Sequence, residues 1–126
     1  MAEAMFDHVG ITVRDVGRSR AFYAAALAPL GIRELMEFEG AAAFGRDQPQ
    51  FWIMQGDPGR STPRTHVAFA ATGRLEVDTF HRAALGAGGV DHGAPGLRPH
   101  YHENYYGAFV LDPDGHNIEA VCHRAP

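Results

Sequence analysis

The residues of this 126-residue chain that could do chemistry are mostly imidazoles, phenols and carboxylates. Of its eight histidines, His8 and His66 each open a stretch in which apolar positions alternate, HVGITV and HVAFA. A second concentration is the run HYHENYY, which gathers His100, Tyr101, His102, Glu103, Asn104, Tyr105 and Tyr106. Imidazole titrates near neutrality and ligates divalent ions, and a phenol can donate to an oxyanion, so metal binding and proton transfer are both open. Other chemistries are excluded by residue type. All eleven cationic residues are arginines, which rules out a Schiff-base mechanism and a P-loop, since each needs a lysine amine. Ser19 and Ser61 are the only serines, and neither sits in a G-x-S-x-G setting. The single Cys122 cannot form an intrachain disulfide, which fits a reducing compartment. It alternates with Ile118 and Ala120 and reads as a small buried hydrophobe.

The elements that must position these groups are legible as an internal repeat. HVGITVRDVGRSRAFYAAALAPLG starts at His8 and HVAFAATGRLEVDTFHRAALGAGG at His66, and the same offset maps Val9 to Val67, Phe22 to Phe80, Ala26 to Ala84, Leu27 to Leu85 and Gly31 to Gly89. Each copy opens with a strand. Val9, Ile11 and Val13 share one face with His8 on the other, and Val67 and Phe69 face opposite to His66. A helix follows. Asp15 is placed to cap the first, Phe22, Ala26 and Leu30 form its stripe, and Pro29 with Gly31 ends it. Val77, Phe80, Ala84 and Leu85 form the stripe of the second. Three more strands follow each helix, over 32–38, 41–46 and 50–54, then over 90–96, 107–111 and 116–122. The segment 55–64, QGDPGRSTPR, reads as a linker between modules 1–54 and 65–126. Asp112-Pro113-Asp114-Gly115 is a type I turn signature leading into the last strand, and its counterpart RDQP precedes QFWIM. The extra length of the second copy falls in GVDHGAPGLRPHYHENYYG.

Composition sets the class. Hydrophobic residues make up 45% and charged residues 21%, a globular balance, and the formal charge of −4 leaves no basic footprint for nucleic acid. The longest apolar stretch, AFYAAALAPLGI, is too short to span a bilayer and the start lacks a basic region followed by an apolar run, so a cytoplasmic protein with no membrane partner is expected.

The HVGITVRD opening, the H-V that begins the second half and the DPDG-H-N-I-E run near the end resemble the vicinal oxygen chelate superfamily. That group contains glyoxalase I, bleomycin-resistance proteins, fosfomycin-resistance enzymes and extradiol dioxygenases. The resemblance runs from Phe6 to His123. It implies an α+β fold of two tandem βαβββ modules whose curved mixed sheets surround a metal-binding cavity. Carried over residue by residue, it implies one divalent ion per site held by His8, His66 and Glu119. The residue types agree, because two imidazoles and a carboxylate hold a divalent ion and leave positions open; zinc, nickel, manganese and ferrous iron all suit such a set.

Departure from the family pattern falls at Trp52. In four-ligand members such as glyoxalase I the equivalent strand supplies a further ligand, and an indole cannot serve as one. Trp52 and Met54 are therefore expected as a cavity wall, or Trp52 as plain core. In the loop, His102 and Tyr105, beside Glu119, are the candidates for proton transfer, and Arg98, His100 and Tyr106 for substrate contact. His100 and His102 also have the H-x-H spacing of an alternative metal site. The resemblance implies an enzyme of the glyoxalase or dioxygenase type, a lyase, isomerase or dioxygenase whose ion chelates vicinal oxygens of a small substrate and stabilises an enolate or oxyanion. The alternative is a metal-free protein of the bleomycin-resistance type that sequesters an aromatic or drug-like ligand. A homodimer is expected, with His8 of one chain completing a site with His66 and Glu119 of the other.

Overall fold

The computed structural model describes residues 4–57, 60 and 63–126. The chain runs β1 (Val9–Val13), α1 (Val16–Leu27), β2 (Arg33–Phe38), β3 (Ala41–Gly45) and β4 (Phe51–Gln55), then β5 (His66–Ala70), α2 (Arg74–Gly86), β6 (Val90–Leu97), β7 (Tyr106–Leu111) and β8 (Asn117–Cys122). Two mixed four-stranded sheets result, ordered β1-β4-β3-β2 and β5-β8-β7-β6. This is the expected pair of βαβββ modules; the sheets are curved and not closed on themselves.

The register carries the repeat into three dimensions. Val9 lies opposite Phe51 in the parallel β1–β4 pair, and Val67 opposite Ile118 in the parallel β5–β8 pair. Ala43 lies opposite Trp52 and Phe109 opposite Glu119, so the turn between the last two strands is one residue longer in the second module. The extra length of that module is thus divided, with the larger part before β7 and one residue in this turn.

Local chemistry sets the ends of α1. Asp15 has extended backbone angles and its side chain accepts the Arg18 N–H, a cap that contributes about 1 kcal/mol. A turn of 3-10 helix over Ala28–Leu30 then closes on Gly31, whose φ of 74° a side-chain-bearing residue rarely adopts. β4 continues to Gln55, one residue past the expected boundary. Its amide oxygen accepts the Val16 N–H and its amide nitrogen donates to the Arg14 carbonyl, bracketing the turn into α1. The rest of the expected linker falls in part outside the described residues.

One core serves both modules. Ile11, Val13, Ile53, Phe44 and Phe51 of the first sheet and Ala108, Val110, Ile118, Ala120 and Cys122 of the second bury against Phe22, Tyr23, Ala26, Val77, Phe80 and Ala84 of the two helices. α1 packs on α2, and Phe51 meets Phe69 edge to face at 5.0 Å. Two expected inward residues stay partly outside: Val9 lies at the open start of its strand and Leu85 at the solvent side of α2.

The DPDG turn is a buried polar hub between the modules. Asp112 Oδ1 accepts the N–H groups of Asp114 and His116, while Oδ2 accepts the Tyr23 phenol of α1. His116 is 1% exposed; its Nδ1 accepts the Thr65 N–H at 2.9 Å, so Nε2 carries the proton and donates to the Thr12 carbonyl at 2.9 Å. One imidazole therefore joins the starts of β5 and the end of β1. Among the described residues, no helix is long and apolar enough to cross a membrane.

His116→Ala strands a backbone donor and a backbone acceptor, each costing about 1–3 kcal/mol, and should lower the urea midpoint without changing the slope. Burial, with Asp112 beside it, raises the Tyr23 phenol well above its ordinary value near 10. Below that ordinary value the phenol is protonated in both states and its contribution is complete. Above it the unfolded chain releases a proton that the folded chain retains, so stability falls as the pH rises beyond about 10. Tyr23→Phe should flatten that alkaline limb in unfolding titrations, and an unchanged slope would exclude Tyr23 as its source.

Candidate metal centre

The faces of the two sheets turned away from the helices differ in chemistry. On the first, Gly10, Trp52 and Ala43 lie in one row and Thr12, Met54 and Ala41 in the next. The Met54 methyl lies over Gly10, where a Cβ would meet it at 2.8 Å. Trp52 is half-buried and stacks on exposed Phe38, the rings 6.1 Å apart and inclined by 11°. On the second, His66 pairs with Asn117, and Ala68, Glu119 and Phe109 form the next row. That face holds the candidate centre.

Glu119 is 2% exposed, and its two oxygens have separate partners. Oε1 lies 3.1 Å from His66 Nε2, and Oε2 accepts the Tyr105 hydroxyl. His66 Nδ1 donates to the Asn117 carbonyl at 2.9 Å. A carbonyl can only accept, so the proton of a neutral His66 sits on Nδ1 and the Nε2 lone pair faces a carboxylate oxygen. Two acceptors at that distance require a shared proton or a cation between them. Asn117 Oδ1, on the same face, is buried without a hydrogen-bond partner, which leaves a further oxygen uncommitted there. Imidazole nitrogen and carboxylate oxygen converging in this way suit a borderline divalent ion.

Surrounding groups hold this pair in place. The Phe109 ring lies against His66 with the centroids 6.1 Å apart, and the Arg98 guanidinium lies 5.2 Å from the centroid of the same phenyl ring. Arg98 donates to the carbonyls of Ala94, Gly96 and Gly107. Its guanidinium is thereby engaged with the backbone around β6 and β7 instead of being extended toward a substrate. Tyr105 is packed edge-on by Tyr101 at 5.0 Å and His123 at 5.2 Å. Burial and the neighbouring Glu119 carboxylate push its phenol up, so it is a hydrogen-bond donor at neutral pH.

The other expected residues are placed as follows. His8 precedes β1, is exposed and contacts Asp7 at 2.7 Å; among the described residues, no third His, Cys, Asp or Glu side chain joins the His66–Glu119 pair. His8 and His66 do line one cavity of about 430 Å³, walled by Phe6, Phe44, Phe51 and Phe69. His102 is exposed; its Nδ1 accepts the Asn104 N–H and its ring meets His123 edge to face. His100 packs on Tyr101 at 4.2 Å. Tyr106 turns to the helix side, where its hydroxyl donates to Asp78 and Arg74 lies over its ring. It is not brought to Glu119.

Three contributors escaped sequence reasoning: Gly107, Phe109 and the Asn117 carbonyl. Only Gly107 carried a signal, since a glycine inside the strand YGAFVL marks a close approach. A Cβ there would lie 3.1 Å from Glu119 Oε2 and 3.2 Å from the Tyr105 ring.

A model of the Glyoxalase/Bleomycin resistance protein/Dioxygenase superfamily matches residues 5–120. No curated protein matches the chain. A glyoxalase/bleomycin resistance protein from Albidiferax ferrireducens is similar in structure, with a TM-score of 0.85 at 30% identity over 94% of this chain and 99% of that one. A family enzyme from Burkholderia phytofirmans, at TM-score 0.72 and 18% identity, covers 96% of this chain and 100% of its own. Lactoylglutathione lyase from Agrobacterium tumefaciens, at TM-score 0.69 and 16% identity, covers 97% and 95%. The last two likenesses concern the fold alone.

Proposed function

The chain belongs to the glyoxalase/bleomycin resistance protein/dioxygenase superfamily, and from that premise we propose that it is a divalent-metal-dependent enzyme acting on a small molecule with neighbouring oxygens. The observation that carries the reading is His66 Nε2 facing Glu119 Oε1 at 3.1 Å while the Asn117 carbonyl holds Nδ1. His66 and Glu119 hold the ion, and His8 is the third ligand. When bound, the ion supplies Lewis acidity toward an oxyanion of the substrate. Trp52 and Met54 provide the apolar wall that orients the substrate and excludes water. His102, exposed in the loop, is the proton-transfer group, its neutral ring carrying the proton on Nε2. The single buried Cys122 accords with a cytoplasmic setting.

The site is shared between two copies of the chain. Supporting this, His8 does not join His66 and Glu119 within one chain, and the first sheet leaves Trp52, Phe38, Met36 and Met54 on a face with no helix over it. A symmetric dimer that sets this face against the His66 face of its partner covers both faces and brings His8 to the pair.

A second reading rests on the Phe38–Trp52 stack, an exposed aromatic platform suited to a planar ligand without any metal. Metal content separates the two. Protein purified without a chelating column should contain about one divalent ion per chain, and His66→Ala or Glu119→Gln should remove it. Wild-type content in both variants would refute the assigned ligands. Mixing His8→Ala with Glu119→Gln protein under conditions of proven subunit exchange should restore one intact site per heterodimer; no recovery of metal binding would place each site within one chain.

Trp52 gives a further test. With an indole where four-ligand relatives have another ligand, turnover of the methylglyoxal–glutathione adduct should be weak or absent in the metal-loaded protein. Efficient turnover in a coupled assay would mean that another carboxylate, such as Glu103, acts as base.

A further inference from the structure

Glu119 could offer an ion one oxygen or two, and the difference fixes how many positions remain for a substrate. Its oxygens are not equivalent here. Oε1 faces His66 Nε2, and Oε2 is occupied by the Tyr105 hydroxyl. We infer that Tyr105 is a positioning residue that restricts Glu119 to one-oxygen ligation through Oε1, and so keeps coordination positions open for the two neighbouring oxygens of a substrate. This inference rests on the metal-dependent reading above.

Its support is the set of contacts that hold the phenol in place. The backbone of the loop is closed where the Arg98 N–H donates to the Tyr105 carbonyl at 2.7 Å and the Tyr105 N–H to the His102 carbonyl at 3.1 Å. Tyr101 and His123 hold the ring edge-on. Gly107 supplies the gap through which the ring reaches the carboxylate, since a Cβ there would crowd both the Tyr105 ring and Oε2. On the other side of the carboxylate, the Asn117 carbonyl orients His66 so that Nε2 and Oε1 converge on one point. Tyr105 and the Asn117 carbonyl thus do the same work on the two ligands: each takes up the atom that is not to bind, and orients the atom that is.

Calorimetric titration of the metal-free dimer with cobalt(II) alone tests this, with the visible absorption of the bound ion as a second readout. Tyr105→Phe should keep the wild-type stoichiometry, weaken cobalt binding by about 10- to 100-fold and change the visible band as Glu119 becomes free to bind through both oxygens. Gly107→Ala retains the phenol but displaces it, and should weaken binding in the same direction. The double variant should be no weaker than Tyr105→Phe, because both changes break one contact. Wild-type affinity and an unchanged band in Tyr105→Phe would overturn the inference while leaving the metal reading intact. Absence of cobalt binding by the wild-type protein would instead overturn the metal reading, and this inference with it.

Discussion

Asp112 is the point on which the arrangement of the two modules turns. A carboxylate 4% exposed cannot be left to water, and it is satisfied by two N–H groups of its own turn and by a phenol from the other module. That arrangement fixes the turn, and the turn fixes His116, which in turn holds the Thr65 N–H and the Thr12 carbonyl. Thr65 is the residue before His66. The orientation of the candidate ligand therefore depends, through two hydrogen-bonded steps, on a carboxylate that faces away from it and toward the helices.

The two modules share a scaffold and have divided its uses. At the row where the second sheet carries Ala68, Glu119 and Phe109, the first carries Gly10, Trp52 and Ala43. The equivalent backbone thus presents an aromatic surface in one copy and a buried carboxylate in the other. A charge of that kind needs committed partners, which explains why the longer connection before β7 belongs to the second module: it brings Tyr105 to Oε2. The first module needs no such loop, and Phe38 covers Trp52 directly.

The fold was legible because its signals are local and repeated. His8 and His66 share an offset with the apolar positions behind them, and the capping Asp15, the break at Gly31 and the turn at Asp112 mark the ends of elements by backbone chemistry alone. The His66–Glu119 pair was legible through the family resemblance that HVAFA and the DPDG-H-N-I-E run carry. Contacts between side chains far apart in sequence were not. Tyr105 and Tyr106 read alike as loop phenols, yet alternation along β7 puts Tyr106 with Ala108 and Val110 on the helix side, where Asp78 receives it. Arg98 reads as a free cation, but three carbonyls and the face of Phe109 take its guanidinium. No spacing rule shows which partner a flexible cation will find.

Irregularity in the outermost strands has a consequence for how copies of this chain can associate. β6 is the outer strand of its sheet, and its pairing slips at Gly93 and again before Gly96, with Pro95 between them and Arg98 donating to the Ala94 and Gly96 carbonyls. β2 holds the same place in the first sheet and slips between Glu34 and Met36. Bulges and proline make poor templates for an incoming strand, so the β2 and β6 margins resist strand addition, while the regularly paired β1 and β5 form the opposite edges. Strand addition between copies is thereby confined to the β1 and β5 edges, and the uncovered sheet faces are left for contact of another kind.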